Sequence, residues 1–274
     1  MDNQLLWHDF YREINQPDEQ IDLAKASLCY AKAEYPDLDI EKYLGALDVI
    51  AIEVESQLSG QAYPLKVIKA INFELFDGLG FQGNDRDYYN LENSFLNRVI
   101  ERRVGIPITL SVIYLAVAKR LDFPMVGIGM PGHFLIRPDF EDAGIFVDAF
   151  NQGEILFEQD CQKKLSKIYR QPVKLDPDWL TPVGNKQILA RMLNNIKFIY
   201  LHKRKINKAI STMSGMIELF PNNAAQIRDR GLLYYQTNRW QEAAVDLEYF
   251  LKIAPDSEDI DTIHLLLSKI NQVS

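Results

Sequence analysis

A histidine and an aspartate, His133 and Asp148, stand in two short segments whose composition predicts neighbouring β-strands. A helix that follows Gly105 and begins near Pro107 precedes them in the chain. An imidazole oriented by a carboxylate can act as general base toward a nucleophile, and a helix N-terminus is where a thiolate is stabilised. The combination predicts the framework of a hydrolase or acyl-transferase site, but the proline at the helix start offers no nucleophilic atom.

Two hydroxyl side chains inside the same helix, Thr109 and Ser111, are the other candidate nucleophiles. We expect both hydroxyls to bond to carbonyls of their own helix, as Ser and Thr in helices commonly do. A water molecule activated by His133 and Asp148 would be a third route to catalysis. Hydroxyl or water chemistry is therefore the alternative to a binding role.

Polar and aromatic residues just before this helix could line a cleft beside His133, or they could cap helices instead. The cleft-lining candidates are Tyr88, Asn93, Ser94, Asn97 and Arg103. The sequence leaves both roles open for them.

A cofactor or metal is not expected. The stretch from Gly78 to Gly83 matches G-x-G-x-x-G, but it follows an apparent helix rather than a strand, so we interpret it as a loop. His133 has no neighbours at metal-ligand spacing. The sequence therefore predicts neither a dinucleotide site nor a metal site.

The elements that position these residues follow from the hydrophobic pattern. Amphipathic segments between residues 21 and 80 predict helices, and residues 105–121 are apolar almost all round, which predicts a buried central helix. Short segments between residues 125 and 157, separated by turn-forming residues, predict an antiparallel meander. This order defines an α+β domain over residues 1–183.

The remaining residues, 184–274, repeat with a period of 34. Ala209 matches Ala243, and Pro221 matches Pro255. Small residues where two helices cross, with a proline after the second helix, are typical of tetratricopeptide repeats. We expect two repeats and a final helix, which together make an all-α domain.

Tetratricopeptide arrays bind peptides in a concave groove. The groove candidates are Asn194, Asn195, Lys197 and Arg228. A basic run at residues 202–205 lies between the two helices of the first repeat and would favour an acidic partner, although such runs are usually solvated turns.

The motifs of residues 81–150 are similar to those of the SirB-type family. They include FQGN and YYN before the central helix, GIPITLS at its start, PGHFLIR on the sheet and FVDAF on the next strand. SirB-type proteins are bacterial proteins with a transglutaminase-like domain followed by tetratricopeptide repeats, and the resemblance covers nearly the whole chain. It implies a papain-like helix plus small antiparallel sheet, and a regulatory role in bacteria.

The resemblance also implies which residue stands in the place of the nucleophile. In transglutaminase-like proteins the catalytic cysteine opens a helix that ends, some seventeen residues on, in a pattern similar to the one that closes on Pro124 here. Counting back gives Pro107, and the histidine and aspartate of the superfamily map to His133 and Asp148. We therefore expect a degenerate site in which His133 and Asp148 are remnants and no residue is confidently catalytic.

Composition and charge limit the function classes. The formal net charge of −8 argues against nucleic-acid binding, because phosphate contacts need an excess of Lys and Arg. The longest apolar run is far below the ~20 residues that span a bilayer, and the N-terminus has no secretory pattern. We expect a cytoplasmic protein that binds no membrane.

The two cysteines make no disulfide framework. Cys29 lies in a helical apolar pattern and is expected in the core. Cys161 lies in a charged stretch and is expected to be an exposed thiol.

These observations predict a non-catalytic bacterial regulator or adaptor, with no oligomeric state indicated. It would bind a protein or peptide partner through a degenerate transglutaminase-like cleft and the repeats. If the basic run takes part, the partner would be acidic. The alternative is a hydrolase or acyl-transferase that uses His133 and Asp148 with Ser111, Thr109 or an activated water.

Overall fold

The computed structural model describes residues 3–58, 60, 63–140 and 144–273. The helices are α1 (Asn3–Ile14), α2 (Leu23–Ala31), α3 (Ile40–Gln57), α4 (Pro64–Asn72), α5 (Leu96–Arg102), α6 (Pro107–Arg120), α7 (Glu158–Tyr169), α8 (Asn185–His202), α9 (Ile206–Leu219), α10 (Ala224–Gln236), α11 (Trp240–Ile253) and α12 (Ile260–Val273). The strands are β1 (Gln82–Gly83), β2 (Val104–Gly105), β3 (Met125–Ile128), β4 (Leu135–Pro138), β5 (Phe146–Asp148), β6 (Glu154–Leu156) and β7 (Pro182–Val183). Short 3-10 turns lie at Asp18–Gln20, Leu91–Ser94, Ala149–Asn151 and Pro177–Leu180, and a π-helical turn, Phe73–Gly78, follows α4.

The chain divides into two compact units, residues 1–192 and 193–274, and the division falls within α8. The first unit combines helices with an antiparallel sheet, and the described residues of the second are helical. The predicted α+β class, followed by a helical repeat region, is confirmed. The domain boundary predicted between residues 183 and 184 stays a prediction.

Helix starts in the first unit follow from local sequence. The side chain of Asp39 accepts a hydrogen bond from the backbone N–H of Lys42 and so caps α3. Pro64 and Pro107 open α4 and α6, at a position where the missing N–H costs no helical hydrogen bond.

Helix α6 is the centre of the first unit, as its apolar sequence predicts. Every residue from Pro107 to Ala118 is buried. The helix packs against α3, β3, β4 and the 3-10 turn Ala149–Asn151. The hydroxyl of Tyr114 donates to Oδ1 of Asn72 at 3.0 Å, which ties the end of α4 to this core helix.

The sheet has the strand order β6-β5-β4-β3-β7, and every described pair is antiparallel. Strands β3 to β6 form the predicted meander. Strand β7 was not predicted, and it pairs with β3 through Gly127 and Val183. A separate parallel pair joins β1 to β2, with Gly83 opposite Gly105. Two-residue strands of this kind are too short for a period-2 pattern to indicate them.

The cysteines are both buried. Cys29 lies in the core as predicted, whereas the expectation of an exposed Cys161 is wrong. Cys161 belongs to α7, an amphipathic helix whose buried face consists of Cys161 and Leu165, while the charged neighbours occupy the other face. Burial raises the pKa of each thiol to about 12, so neither is a nucleophile at neutral pH.

The second unit has the predicted repeat layout. Ala209 and Ala243 are fully buried, and Pro221 and Pro255 follow α9 and α11. Helix α10 packs against α9 and α11, and α12 packs on α11. The tetratricopeptide prediction is therefore confirmed in both period and helix order.

Candidate functional site

The imidazole of His133 and the carboxylate of Asp148 meet directly, with Nε2 of His133 2.8 Å from Oδ2 of Asp148. His133 precedes β4 and is 8% exposed, while Asp148 ends β5 and is fully buried. An ionised carboxylate only accepts, so we assign the proton to Nε2. In the tautomer with its single proton on Nε2, Nδ1 keeps its lone pair and is the nitrogen that a general base would use.

Several donors converge on Asp148. Its Oδ1 accepts from the backbone N–H groups of Phe150 and Asn151, at 3.1 and 3.2 Å. Its Oδ2 accepts from the Asn151 amide at 2.8 Å and from Nζ of Lys164 at 2.6 Å. Burial raises the pKa of Asp148, but the hydrogen bonds and charges of His133 and Lys164 outweigh burial and hold that pKa well below its ordinary value. The carboxylate is therefore ionised.

Lys164 makes this pair different from a triad. Its side chain is 19% exposed, and its Nζ also lies 3.3 Å from Oε2 of Glu154. Burial alone would lower the pKa of Lys164, but the bonds to Asp148 and Glu154 raise it. In a catalytic triad the carboxylate stabilises the imidazolium that forms during proton transfer. Here an ammonium group already neutralises that carboxylate, so its support for a charged His133 is weaker.

The start of α6 carries no nucleophile at its first position. Pro107 is buried there. The hydroxyl of Thr109 accepts from the backbone N–H of Ile106 at 3.1 Å and donates to the carbonyl of Asn93 at 2.9 Å. Thr109 thus ties the helix start to the 3-10 turn before it, and its hydroxyl is occupied by structural bonds.

Ser111 behaves differently. Its hydroxyl is buried and has no hydrogen-bond partner within the described residues, so the expected bond to its own helix is wrong. The residue stands one helical turn after Pro107 and shares a face of α6 with it. Because Ser111 is fully buried, a substrate would reach it only if the surrounding core opened.

Aromatic side chains lie over the imidazole. The ring of Phe150 is 6.1 Å from that of His133, and the ring of Tyr88 is 6.3 Å from that of Phe150. Gly83 permits this packing, because a Cβ there would lie 2.6 Å from the Phe150 ring. Tyr88, at 37% exposed, is the predicted cleft residue that the structure brings next to this group. We call Tyr88, Phe150 and His133 the aromatic wall.

Asn93 and Ser94 are buried and organise the loop. The Asn93 amide donates to the carbonyls of Asp87 at 2.8 Å and Tyr88 at 3.2 Å. The carbonyl of Ser94 accepts from the Tyr30 hydroxyl at 3.2 Å. These two candidates shape the segment that presents Tyr88, and their own described contacts do not reach His133.

Asn97 and Arg103 lie elsewhere. Asn97 lines a separate cavity of about 390 Å³ together with Tyr35 and Glu101. Arg103 adopts a left-handed backbone conformation, with φ of 60°, and its guanidinium stacks over Phe81 at 4.7 Å. Burial lowers the pKa of Arg103. In the described part of the chain, neither residue contacts the aromatic wall.

Sequence reasoning missed Lys164, Phe150 and Arg191 at this site. Arg191, on the part of α8 that belongs to the first unit, donates from Nη2 to the carbonyl of His133 at 2.8 Å. Arg191 lies 58 positions from His133 in the chain, and Lys164 sits among other charged residues. No short motif connects them to His133, so only the folded chain identifies them.

The groove candidates lie in the second unit and are partly engaged. Nζ of Lys197 donates to Oε1 of Gln226 at 3.1 Å. Arg228 pairs with Asp229 at 2.7 Å and with Asp259 at 2.5 Å, so its charge is compensated. Asn194 is exposed, and Asn195 is partly buried.

The basic run is more open than the groove candidates. Lys203 and Lys205 are exposed. None of the described ion pairs involves them. This turn therefore carries exposed positive charge of the second unit, whereas the charge of Arg228 is compensated.

Two further features bear on the function class. Among the residues that the structure describes, no group of three or more His, Cys, Asp or Glu side chains is arranged to hold a metal ion. None of the described helices is both long and apolar enough to cross a membrane.

The fold and the His–Asp pair define an α+β domain of the transglutaminase-like class joined to a helical repeat. Comparison with known families agrees, since residues 41–194 match the model of the transglutaminase-like superfamily and residues 196–268 match a tetratricopeptide-repeat model. The chain belongs to the SirB-type family. No solved structure gives a significant match to the chain.

Curated relatives extend over most of the chain. A UPF0162 protein of Xylella fastidiosa (strain 9a5c) is 34% identical over 250 residues, covering 90% of this chain and 89% of its own length. Protein SirB1 of Salmonella typhimurium is 26% identical over 241 residues, covering 87% and 88%. F-box only protein 21 of Homo sapiens is 28% identical over 262 residues, which cover 90% of this chain but 38% of the human protein.

Proposed function

We propose that this chain is a non-catalytic bacterial regulator or adaptor that works in the cytoplasm. It binds a protein or peptide partner through the surface beside the aromatic wall and through the tetratricopeptide repeats. The observation that carries the proposal is the composition of the site. A His133–Asp148 pair is retained at 2.8 Å, whereas the helix start in the nucleophile position offers the ring of Pro107.

The alternatives to Pro107 support the same proposal. The Thr109 hydroxyl is held by the backbone of Ile106 and Asn93, and Ser111 is fully buried. Lys164 neutralises Asp148, which would otherwise stabilise a protonated His133. Together these features favour a site that binds over a site that turns over substrate.

The first test is affinity capture of the tagged full chain from its native cytoplasm, with mass spectrometry of what it retains. His133→Ala, Asp148→Asn and wild type are compared at equal amounts of folded protein. An adaptor is expected to hold one defined partner, and to hold it with little loss in the His133→Ala form, because the imidazole is only 8% exposed and has no chemical task. A partner that is enriched or modified only on His133→Ala would instead indicate a trapped substrate.

The alternative, hydrolysis or acyl transfer, has its own decisive outcome. Turnover of the captured partner that is lost in both His133→Ala and Asp148→Asn, each still folded by circular dichroism, would overturn the non-catalytic proposal. Loss in Asp148→Asn alone would not, because Asp148 also contributes to stability.

The repeat surface is tested by reversing its exposed charge. The double variant Lys203→Glu/Lys205→Glu is compared with Lys252→Glu/Lys269→Glu, whose lysines are also exposed and belong to the same unit. If the basic run helps to hold an acidic partner, the first double variant retains at least about tenfold less partner, equivalent to about 1.4 kcal/mol. Equal retention by the two double variants would remove the basic run from the binding surface.

A further inference from the structure

Arg191 is a partly buried cation beside the aromatic wall. Its Nη2 donates to the carbonyl of His133 at 2.8 Å and to that of Met130 at 3.3 Å, and its Nη1 lies 3.4 Å from the same Met130 oxygen. The guanidinium also stacks on the ring of Phe134, with 5.5 Å to the centroid. These contacts fix the guanidinium in one place and one orientation.

The charge of Arg191 is not compensated within the described residues. None of the described ion pairs includes it, and its acceptors are two neutral carbonyls. A cation withdrawn from water is costly unless a negative group meets it, and burial accordingly lowers the pKa of Arg191. The other buried cation of the site, Lys164, differs because it is paired with two carboxylates.

Donors of Arg191 remain available for a ligand. A guanidinium carries five N–H groups, and Nε makes no described hydrogen bond. The buried side-chain atoms of the described chain that lack a partner include Nη1 of Arg103 but no nitrogen of Arg191, so the unbonded Nε of Arg191 is not fully buried. A fixed guanidinium with open N–H groups matches the two oxygens of a carboxylate.

The surroundings of Arg191 suit a peptide. Tyr88 lies within electrostatic reach, since burial raises the pKa of Tyr88 and the charge of Arg191 opposes that rise. Tyr88 is also partly exposed and stacks edge-on against Phe150. Rigid aromatic surface beside a fixed cation is the composition found at the centre of peptide-binding sites.

We propose that Arg191 binds the side-chain carboxylate of an acidic residue in a peptide that lies against Tyr88 and Phe150. This inference rests on the proposed function, and it names the chemistry of the partner at the degenerate site. A phosphate group fits less well, because strong phosphate sites join several cations and Lys164 is already engaged by Asp148 and Glu154.

The test uses the full chain and two probes that differ by one group. N-acetyl-glutamate amide carries the carboxylate, and N-acetyl-glutaminamide is its uncharged counterpart of similar shape. Each is titrated into isotopically labelled protein while the Arg191 Nε–H and Tyr88 signals are followed by nuclear magnetic resonance. We expect saturable shifts with the glutamate probe, and binding at least about tenfold weaker with the glutamine probe, equivalent to about 1.4 kcal/mol.

Variants separate a binding role from a structural one. Arg191→Gln should weaken binding of the glutamate probe by a similar factor, whereas Arg137→Gln should not, since Arg137 is also partly buried but its described hydrogen bond goes to the carbonyl of Pro138. If Arg191 only clamps the carbonyls of Met130 and His133, Arg191→Gln lowers the unfolding temperature and leaves probe binding unchanged. That result, equal binding of the two probes, or no shift up to the solubility limit would each overturn the inference.

The comparison between the two probes uses wild-type protein, so it holds even if Arg191→Gln does not fold. The capture experiment distinguishes this inference from the proposed function. A partner held equally by wild type and Arg191→Gln would leave the adaptor intact and remove Arg191 from it. Selective binding of the glutamate probe without any captured partner would support the carboxylate site and contradict the adaptor.

Discussion

Nζ of Lys164 lies 2.6 Å from Oδ2 of Asp148, the same oxygen that His133 contacts at 2.8 Å. Lys164 is therefore paired with the carboxylate that, in a catalytic site, would orient the histidine and stabilise its protonated form. The site contains the histidine and carboxylate of a general base, but the negative charge of Asp148 is already paired with Lys164. Substitutions at Lys164 and Asp148 therefore test how much this ion pair contributes to the stability of the fold.

Replacing Lys164 should destabilise the first unit. Lys164→Met leaves the fully buried Asp148 without its ammonium partner, and breaking buried pairs costs about 3–5 kcal/mol. Because Lys164 is 19% exposed, we expect a loss of about 2–3 kcal/mol in the free energy of unfolding, measured with urea. The neighbouring Lys163 is 75% exposed, so Lys163→Met should cost less than about 0.5 kcal/mol. Equal losses in the two variants would contradict the buried ion pair.

The stability that Asp148 provides should depend on pH. His133 and Lys164 hold the pKa of the folded carboxyl below its ordinary value despite burial, whereas the unfolded carboxyl titrates near about 3.9. Its contribution is therefore present above about pH 4 and is lost as the pH falls further, because the unfolded chain then binds a proton that the folded chain does not. The difference in unfolding free energy between wild type and Asp148→Asn should shrink between about pH 5 and pH 3. A difference that stays constant over this range would show that Asp148 is not held ionised.

The two hydroxyls of α6 should respond in opposite ways. Thr109→Val leaves the N–H of Ile106 and the carbonyl of Asn93 buried without their partner, at a cost of about 1–3 kcal/mol. Ser111→Ala removes a buried oxygen that has no partner within the described residues. The free energy of unfolding should therefore change by less than about 0.5 kcal/mol or increase. Urea unfolding of both variants checks this contrast. A large loss for Ser111→Ala would mean that its hydroxyl has a structural or ligand-binding task.

Gly153 should tolerate no side chain. Its φ is +72°, and a Cβ there would lie 2.2 Å from Oδ1 of Asn72. We expect Gly153→Ala to cost more than about 2 kcal/mol, through strain and displacement of Asn72. Gly60 also has a positive φ, of +68°, but nothing lies within 4 Å of its added Cβ, so Gly60→Ala should cost only about 1 kcal/mol. If the two substitutions cost the same, the close contact with Asn72 is not what constrains Gly153.

Much of this fold could be predicted because the local signals are strong. The apolar run of α6, the turn residues between β3 and β6 and the period of the repeats all point to the observed elements. Strand β7 was missed because two residues carry no periodicity, and Cys161 was misplaced because its charged neighbours are the exposed face of an amphipathic helix. The pattern of charges along the sequence could not show which face was buried.

The candidate site was less predictable, for a different reason. His133 and Asp148 were found from their residue types and the short segments around them, although His133 precedes β4 rather than lying on it. Arg191 lies on α8, 58 positions after His133, and its partner is the backbone carbonyl of that residue. Lys164 lies on α7 among other charged residues, and its partner is the carboxylate of Asp148. Contacts to backbone atoms leave no trace in residue type, so the cation beside His133 emerges only from the folded chain.

The first unit joins a segment near the start of the chain to the beginning of α8. The carboxylate of Asp18 accepts from the backbone N–H groups of Asn185 and Lys186, each at 2.8 Å, and so caps α8 from 167 positions earlier. During synthesis on the ribosome, the amino-terminal helices must therefore wait for most of the polypeptide before they can complete their native contacts. A cell that makes this protein therefore carries an unfinished first unit until Asn185 and Lys186 have been synthesised.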